Sequence, residues 1–190
     1  MTLDDIDLPL GDRRDGKVRV SYALPDGRRL FVTTDRLSAF DRIIARVPFK
    51  GQVLNQLSMW WFDHTRGIVA NHAISTPDPN VLIARAATPL PVEVIVRGAI
   101  TGVTDTSLWT RYAAGQRVID GHTLPDGLAK NTMLPTPIIT PTTKGEKGAH
   151  DVPLSSAEVV ERGLVESALW ARVERAALDV FAFGATRGAE

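Results

Sequence analysis

The chain has 190 residues, 44% of them hydrophobic and 23% charged, with 22 basic side chains against 22 acidic ones. That length buries a sizeable core in one large or two small domains, and the balance excludes a disordered polymer and a general nucleic-acid binder. The absence of cysteine removes disulfides, thiolate nucleophiles and cysteine metal sites.

The N-terminal stretch MTLDDIDLPLGDRRD is acidic and lacks the apolar run of a signal peptide. No window reaches the ~18 apolar residues of a membrane span, so a cytoplasmic location without membrane contact is expected. KVRVSYALPDGRRLFVTTD (17–35) reads as a hairpin: Val18, Val20 and Tyr22 alternate with polar residues, and Pro25-Asp26-Gly27 supplies the turn. Residues 51–65 predict a helix whose Leu54, Leu57 and Trp61 form one apolar stripe. Residues 80–87 and 91–101 are β-branched runs bounded by prolines, hence strands. A short helix is expected over 105–115, capped by Asp105 or Thr106 and ended by Gly115. Residues 116–154 read as loop with at most one short strand. Ser155 and Glu158 make a capping box. It opens a helical segment over 156–183, broken near Gly163, with Leu169, Val173, Ala177 and Val180 as its buried face. A β-rich first half, an irregular middle and a helical end predict an α+β fold in two lobes, 1–90 and 91–190.

Four stretches hold residues suited to chemistry. Lys17 and Arg19 share one face of a strand, which suits an anion; the alternative is a solvated hairpin edge. Asp35, Arg36, Ser38 and Asp41 cluster just after a strand, where sites often form, although Asp35 could equally cap a helix or turn. Glu93 and Arg97 lie on one face of a strand: Arg97 could hold a phosphate or carboxylate, or pair with Glu93. Ser107 could add a hydroxyl for an anion, or simply cap. TPIITPTTKGEKGAHD (136–151) combines rigid prolines, the hydroxyl donors and acceptors Thr140, Thr142 and Thr143, and the charged Lys144, Glu146, His150 and Asp151. Cations there can hold phosphoryl oxygens, and Glu146 with Asp151 could hold Mg²⁺. The alternative is a surface loop with scattered ion pairs. Motifs of P-loop ATPases, Rossmann dehydrogenases, zincins and α/β-hydrolases are absent.

In order along the chain, GKVR (16–19), FVTTDRLSAFD (31–41), GQVLNQLSMWWF (51–62), PVEVIVRGAITG (91–102), SLWTRYAAG (107–115) and LPTPIITPTTKGEKGAHD (134–151) resemble SAICAR synthetase, phosphoribosylaminoimidazole-succinocarboxamide synthase. The resemblance runs from about residue 16 to the final helix. It implies a two-lobed fold, with a β-rich N-terminal lobe covering the nucleotide and an α/β C-terminal lobe. It also implies an ATP-dependent, Mg²⁺-using ligase of purine biosynthesis. Such an enzyme joins carboxyaminoimidazole ribotide to L-aspartate through an acyl phosphate and releases ADP and phosphate. On this resemblance Lys17 and Arg19 lie near the ATP phosphates. The segment from Ala84 to Glu93 receives adenine, with Glu93 an ATP-binding residue. Asp35, Arg36 and Ser38 approach the substrates, and Arg97 and Ser107 hold the ribotide phosphate. Lys144, Glu146 and Asp151 are catalytic, His150 binds substrate, and Glu146 and Asp151 are the metal ligands.

The sequence departs from the family pattern at Val20, where aspartate is usual, and at Val152, where glutamate is usual. It also inserts Val103 to Thr106. Relative to the family it lacks C-terminal strands that supply acidic residues, so the 190-residue chain alone is expected to be impaired or inactive. The competing expectations are a non-catalytic nucleotide- or ribotide-binding relative, and an ATP-dependent kinase or other ligase with a similar cleft. A homo-oligomer is left open.

Overall fold

The computed structural model describes residues 2–39, 42–144 and 151–188. The chain divides into two units, Met1–Thr88 and Pro89–Glu190.

The first unit contains β1 (Arg13–Asp15), β2 (Arg19–Ala23), β3 (Arg28–Thr33), β4 (Arg36–Ala39), β5 (Arg42–Arg46), α1 (Lys50–His64), β6 (Ala73–Asp78) and β7 (Val81–Arg85). The expected hairpin is β2 and β3, paired antiparallel with Val20 opposite Val32 and Tyr22 opposite Leu30. Gly27, at φ 75°, closes its turn at an angle that side chains resist. The hairpin lies within a five-stranded sheet of order β1-β2-β3-β7-β6, and β4 and β5 form a separate antiparallel pair. Val20, Tyr22, Val32 and Ala84 are almost completely buried.

The acidic N-terminal stretch straps across this sheet. The Tyr22 hydroxyl donates to the Ile6 carbonyl (2.9 Å) and accepts from the Leu8 amide (3.2 Å), so the buried phenol is satisfied in both roles. Arg13 pairs with Asp5 and Asp15, each at 2.7 Å, and Arg46 pairs with Asp4 at 2.7 Å.

Helix α1 forms where periodicity placed it, but two residues of its apolar stripe stay exposed. Leu54 is 39% and Leu57 50% exposed, while Gly51 and Asn55 are the helix's buried residues. The reason is a close approach at its start. A Cβ on Gly51 would lie 2.3 Å from the Thr33 carbonyl oxygen and 2.5 Å from Asn80 Nδ2. The small residues seat the helix on the sheet, and the apolar stripe overhangs.

The second unit contains β8 (Val92–Glu93), β9 (Val96–Ile100), α2 (Leu108–Ala113), β10 (Val118–Ile119), β11 (His122–Thr123), β12 (Thr132–Ile139), β13 (Thr142–Thr143), α3 (Ser156–Glu161) and α4 (Ser167–Arg187). Three expectations are corrected here. The short helix starts later, capped by Ser107 rather than Asp105 or Thr106. Residues 116–154 contain four strands, not one. The longest, β12, carries Pro135 and Pro137 and pairs with β9 through a register shift between Met133 and Ile138, which spares the prolines a ladder position. The buried face of α4 centres on Trp170, 3% exposed, while Leu169 is 37% exposed.

The capping box of Ser155 and Glu158 opens α3 as expected. Gly163, at φ 66°, ends it before α4. One core cluster joins Val92, Ile139, Leu154, Val159, Val165 and Trp170; a second joins Ile100, Leu108, Tyr112, Ile119, Leu124 and Leu134. Gly98 lets α4 approach β9, since a Cβ there would meet Phe181 at 2.6 Å.

Gly51→Ala is expected to cost about 1–3 kcal/mol in chemical denaturation, because the obstructing atom is a backbone carbonyl that cannot swing away. Gly67→Ala, with nothing within 4 Å of the added Cβ, should stay within about 0.5 kcal/mol. Equal stability of the two variants would mean that α1 lifts from β3 without cost.

Candidate functional site

In the first unit, the residues singled out after the hairpin converge on one turn. Gly16 donates its amide to the Arg19 carbonyl at 2.8 Å, which curls the chain around Lys17. Arg36 then reaches back: its Nε donates to Thr34 Oγ1 (3.0 Å) and its Nη2 to the Gly16 carbonyl (3.2 Å). Thr34 in turn donates to the Val18 carbonyl at 2.9 Å. The structure thus brings Lys17, Arg19 and Arg36 to one end of the sheet. Lys17 and Arg19 are exposed, and Ser38 is half-buried on β4.

Asp35 stands apart, at 4% exposure. Its Oδ1 accepts from the Gly51 amide and its Oδ2 from the Leu3 amide, both at 2.9 Å. Burial pushes its pKa up, but the Gly51, Leu3 and Phe49 amides outweigh that and hold it below the ordinary carboxylate value. It caps α1 from outside the helix, in line with the capping alternative.

In the second unit, Arg97 on β9 donates its Nε to Thr140 Oγ1 at 2.9 Å, across 43 positions of sequence. No ion pair joins Arg97 to Glu93. Residues 94–95 interrupt the strand, so Glu93 faces Thr142 on β13 while Arg97 faces Ile138 on β12. The threonine-rich stretch is stitched down on both sides. Lys144 donates its amide to Pro91 O (3.0 Å), Thr143 to Val152 O (2.9 Å) and Leu154 to Pro141 O (2.9 Å). Val152 donates to Thr143 Oγ1 at 3.0 Å. These bonds hold Lys144 and Asp151, both exposed, at the two ends of the described part of the motif. Glu146 and His150 lie outside the described residues, as does Asp41. Ser107, 8% exposed, is engaged as the α2 cap: its hydroxyl donates to Thr110 Oγ1 at 2.9 Å and accepts from the Thr110 amide at 3.4 Å.

Among the described residues, Arg19, Arg36 and Arg97 have no carboxylate at ion-pair distance, unlike Arg13, Arg46, Arg111 and Arg117. Three of the arginines selected from motifs thus keep their charge available to an anion. The partnership of Arg97 with Thr140 is not legible in the sequence, because 43 positions separate the two.

A family model described as SAICAR synthetase matches residues 12–190. The chain belongs to the SAICAR synthetase family. A protein of Mesorhizobium japonicum is 48% identical over 190 residues, all of this chain and 61% of its own length. The phosphoribosylaminoimidazole-succinocarboxamide synthase of Legionella pneumophila (strain Paris) is 50% identical over 182 residues, 96% of this chain and 57% of its own. The chain therefore spans little more than half the length of these curated relatives. Among solved structures, the Saccharomyces cerevisiae SAICAR synthase complexed with SAICAR superposes with a TM-score of 0.76 at 33% identity, covering 92% of this chain and 61% of that one. A SAICAR synthetase solved in complex with ADP, at a TM-score of 0.70 and 22% identity over 90% of this chain and 66% of that one, supports the α+β fold alone. Among the described residues, no helix is long and apolar enough to cross a membrane.

The lowered pKa of Asp35 sets a direction for stability against pH. A carboxylate held below its unfolded value stabilises the fold fully above that value, 3.8 here, and loses the contribution as pH falls through the folded one. Asp35→Asn should therefore cost about 1–3 kcal/mol at pH 7 in urea denaturation, with the gap to the parent closing below the ordinary carboxylate range. A gap that does not change with pH would rule out an ionised Asp35 as the source.

Proposed function

We propose that this chain carries the nucleotide- and ribotide-contacting part of an ATP-dependent ligase that joins carboxyaminoimidazole ribotide to L-aspartate, acting in the cytoplasm. What supports the reading is the Arg97–Thr140 hydrogen bond in a chain of this family. It joins two motifs far apart in sequence and presents a guanidinium without a carboxylate partner among the described residues.

In this reading Lys17 and Arg19 meet the ATP phosphates, Glu93 lies at the nucleotide's edge, and Asp35, Arg36, Ser38 and His150 serve the substrates. Arg97 holds the ribotide phosphate, with Ser107 assisting from its cap. The ribotide carboxylate attacks the terminal phosphorus of ATP, ADP leaves, and an acyl phosphate forms. The aspartate amine then attacks the acyl carbon, loses a proton as the amide forms, and expels phosphate. Lys144 offers its cation to the transferring phosphoryl group, and Glu146 and Asp151 serve as the acidic groups of the same motif. Such chemistry asks for positioning and charge neutralisation more than for a covalent nucleophile, consistent with a chain without cysteine.

Of the two carboxylates assigned to Mg²⁺, only Asp151 is described, and no group of three metal-ligating side chains gathers among the described residues. The donor set shown does not by itself fit the ion, so Mg²⁺ enters as the nucleotide's companion and no step is routed through it.

The test is coupled ADP release by the purified chain with ATP, Mg²⁺, ribotide and aspartate, each omitted in turn. Release that requires all four would carry the ligase reading, at a rate well below that of a full-length relative, in keeping with an impaired chain. Ligand binding without turnover by a cooperatively folded chain would fit either a binding relative, in keeping with Val20 and Val152, or the impaired ligase expected of a chain that spans little more than half of its relatives' length.

Arg97→Ala should weaken ribotide binding at least about tenfold, as loss of a charge-assisted contact does, and leave nucleotide binding nearly unchanged. Equal loss of both in calorimetry would count against its phosphate role.

A further inference from the structure

In the first unit, α1 and the sheet leave a cavity of about 380 Å³. Its floor follows from register. Arg19 lies opposite Thr33 and Phe31 opposite Leu82, so all four share one face of the sheet. Its roof is the overhanging stripe of α1: Leu54, Leu57, Ser58 and Trp61, spaced by three and four, which puts them on one side of the helix. Phe62 and His72 close it, with ring centres 5.2 Å apart, edge to face, and the Phe31 ring meets His72 the same way at 6.3 Å.

An amphipathic helix normally lowers its stripe onto the core. Here the Gly51 contact fixes the start of α1 while Leu54 and Leu57 remain substantially exposed, and apolar walls around unfilled space forgo contacts. One charge enters the lining. The Arg19 guanidinium sits 6.0 Å from the centre of the Phe31 ring, has no carboxylate partner among the described residues, and no aspartate or glutamate lines the cavity.

We propose that this cavity is a binding site for a flat, largely apolar monoanion, an aromatic carboxylate or sulfonate, whose ring lies between Phe31 and the α1 stripe and whose charge meets Arg19. The volume falls within the range of small-molecule pockets. A single cation matches a monoanion, whereas a triphosphate calls for several donors. His72 does not supply a second charge at neutral pH: burial, then the nearby Arg19 and Arg85 cations, push its pKa down. The proposal goes beyond the ligase reading but shares Arg19 with it, so a bound nucleotide is expected to compete for that cation; the site itself does not depend on turnover.

The experiment titrates the purified chain with 8-anilinonaphthalene-1-sulfonate and, in parallel, with the uncharged N-phenyl-1-naphthylamine, read by probe fluorescence excited through tryptophan. One sulfonate per chain is expected, bound more tightly than the uncharged probe. Ser58→Trp, which fills the cavity, should abolish binding of both. Leu57→Glu, at a half-exposed position that folding tolerates, should weaken the sulfonate at least about tenfold and the uncharged probe far less, the pattern that a nearby like charge produces in a site of low polarity. Arg19→Gln should remove the preference for the anion. Several equivalent probes per chain, or sulfonate binding unchanged in Leu57→Glu and in a cooperatively melting Ser58→Trp, would overturn the site. Because no readout uses turnover, a chain that fails to release ADP leaves this result intact.

Discussion

The Asp35 carboxylate is the constraint on which the first unit turns. Its two oxygens accept from the Leu3 and Gly51 amides, and its own backbone amide donates to Leu3 while its carbonyl accepts from Val47. One residue therefore holds the N-terminal strap, the end of the β4–β5 pair and the first turn of α1. That first turn has no cap of its own: Phe49 occupies the N-cap at φ 65° with no side-chain hydrogen bond. An anion placed at those amides satisfies orphan donors and opposes the helix dipole. The position of α1 over the sheet follows, and with it the space beneath its apolar stripe.

How much of this could be read from the chain depends on range. The β2–β3 hairpin, the extent of α1 and the Ser155–Glu158 box are local events, set by a turn triplet, a period and a cap. The burial of the α1 stripe was not local. Periodicity identifies a helix and its apolar side but not whether a partner descends onto that side, and here Gly51 and Asn55 make the contact instead. On α4 the large Trp170 ring takes the deepest place and leaves Leu169 exposed, while Val173 packs against the same core as expected. Between residues 116 and 154, β12 was hidden by its prolines and the other three strands by their length of two residues each. Those prolines are tolerated because β12 pairs with β9 across a register shift, a long-range fact that local propensity does not carry.

The site was legible as a set of residue types, less so as a set of partnerships. Asp35 and Ser107 were read with two alternatives each, site or cap, and both make capping hydrogen bonds in the structure. The same polar groups that bind anions also satisfy orphan amides, so sequence alone does not separate the roles. Arg97 likewise had a phosphate and an internal ion pair as alternatives, and the break at residues 94–95 removes the second by sending Glu93 to Thr142.

What replaces that ion pair bears on function. Thr140 is a neutral acceptor, so it orients the Arg97 guanidinium without cancelling its charge. Arg36 is held in the same manner, by a hydroxyl and a carbonyl, and Arg19 rests over an aromatic ring. Elsewhere the fold spends its arginines differently: Arg13, Arg46 and Arg111 each meet a carboxylate at 2.7 Å or closer. A guanidinium aimed by neutral groups is fixed in direction yet still attracts an anion, whereas one aimed by a carboxylate has already found its anion. Arg42, Arg85 and Arg172 also lack a carboxylate at ion-pair distance among the described residues, so the missing partner alone does not mark a site; what sets Arg36 and Arg97 apart is that neutral side-chain hydroxyls aim them.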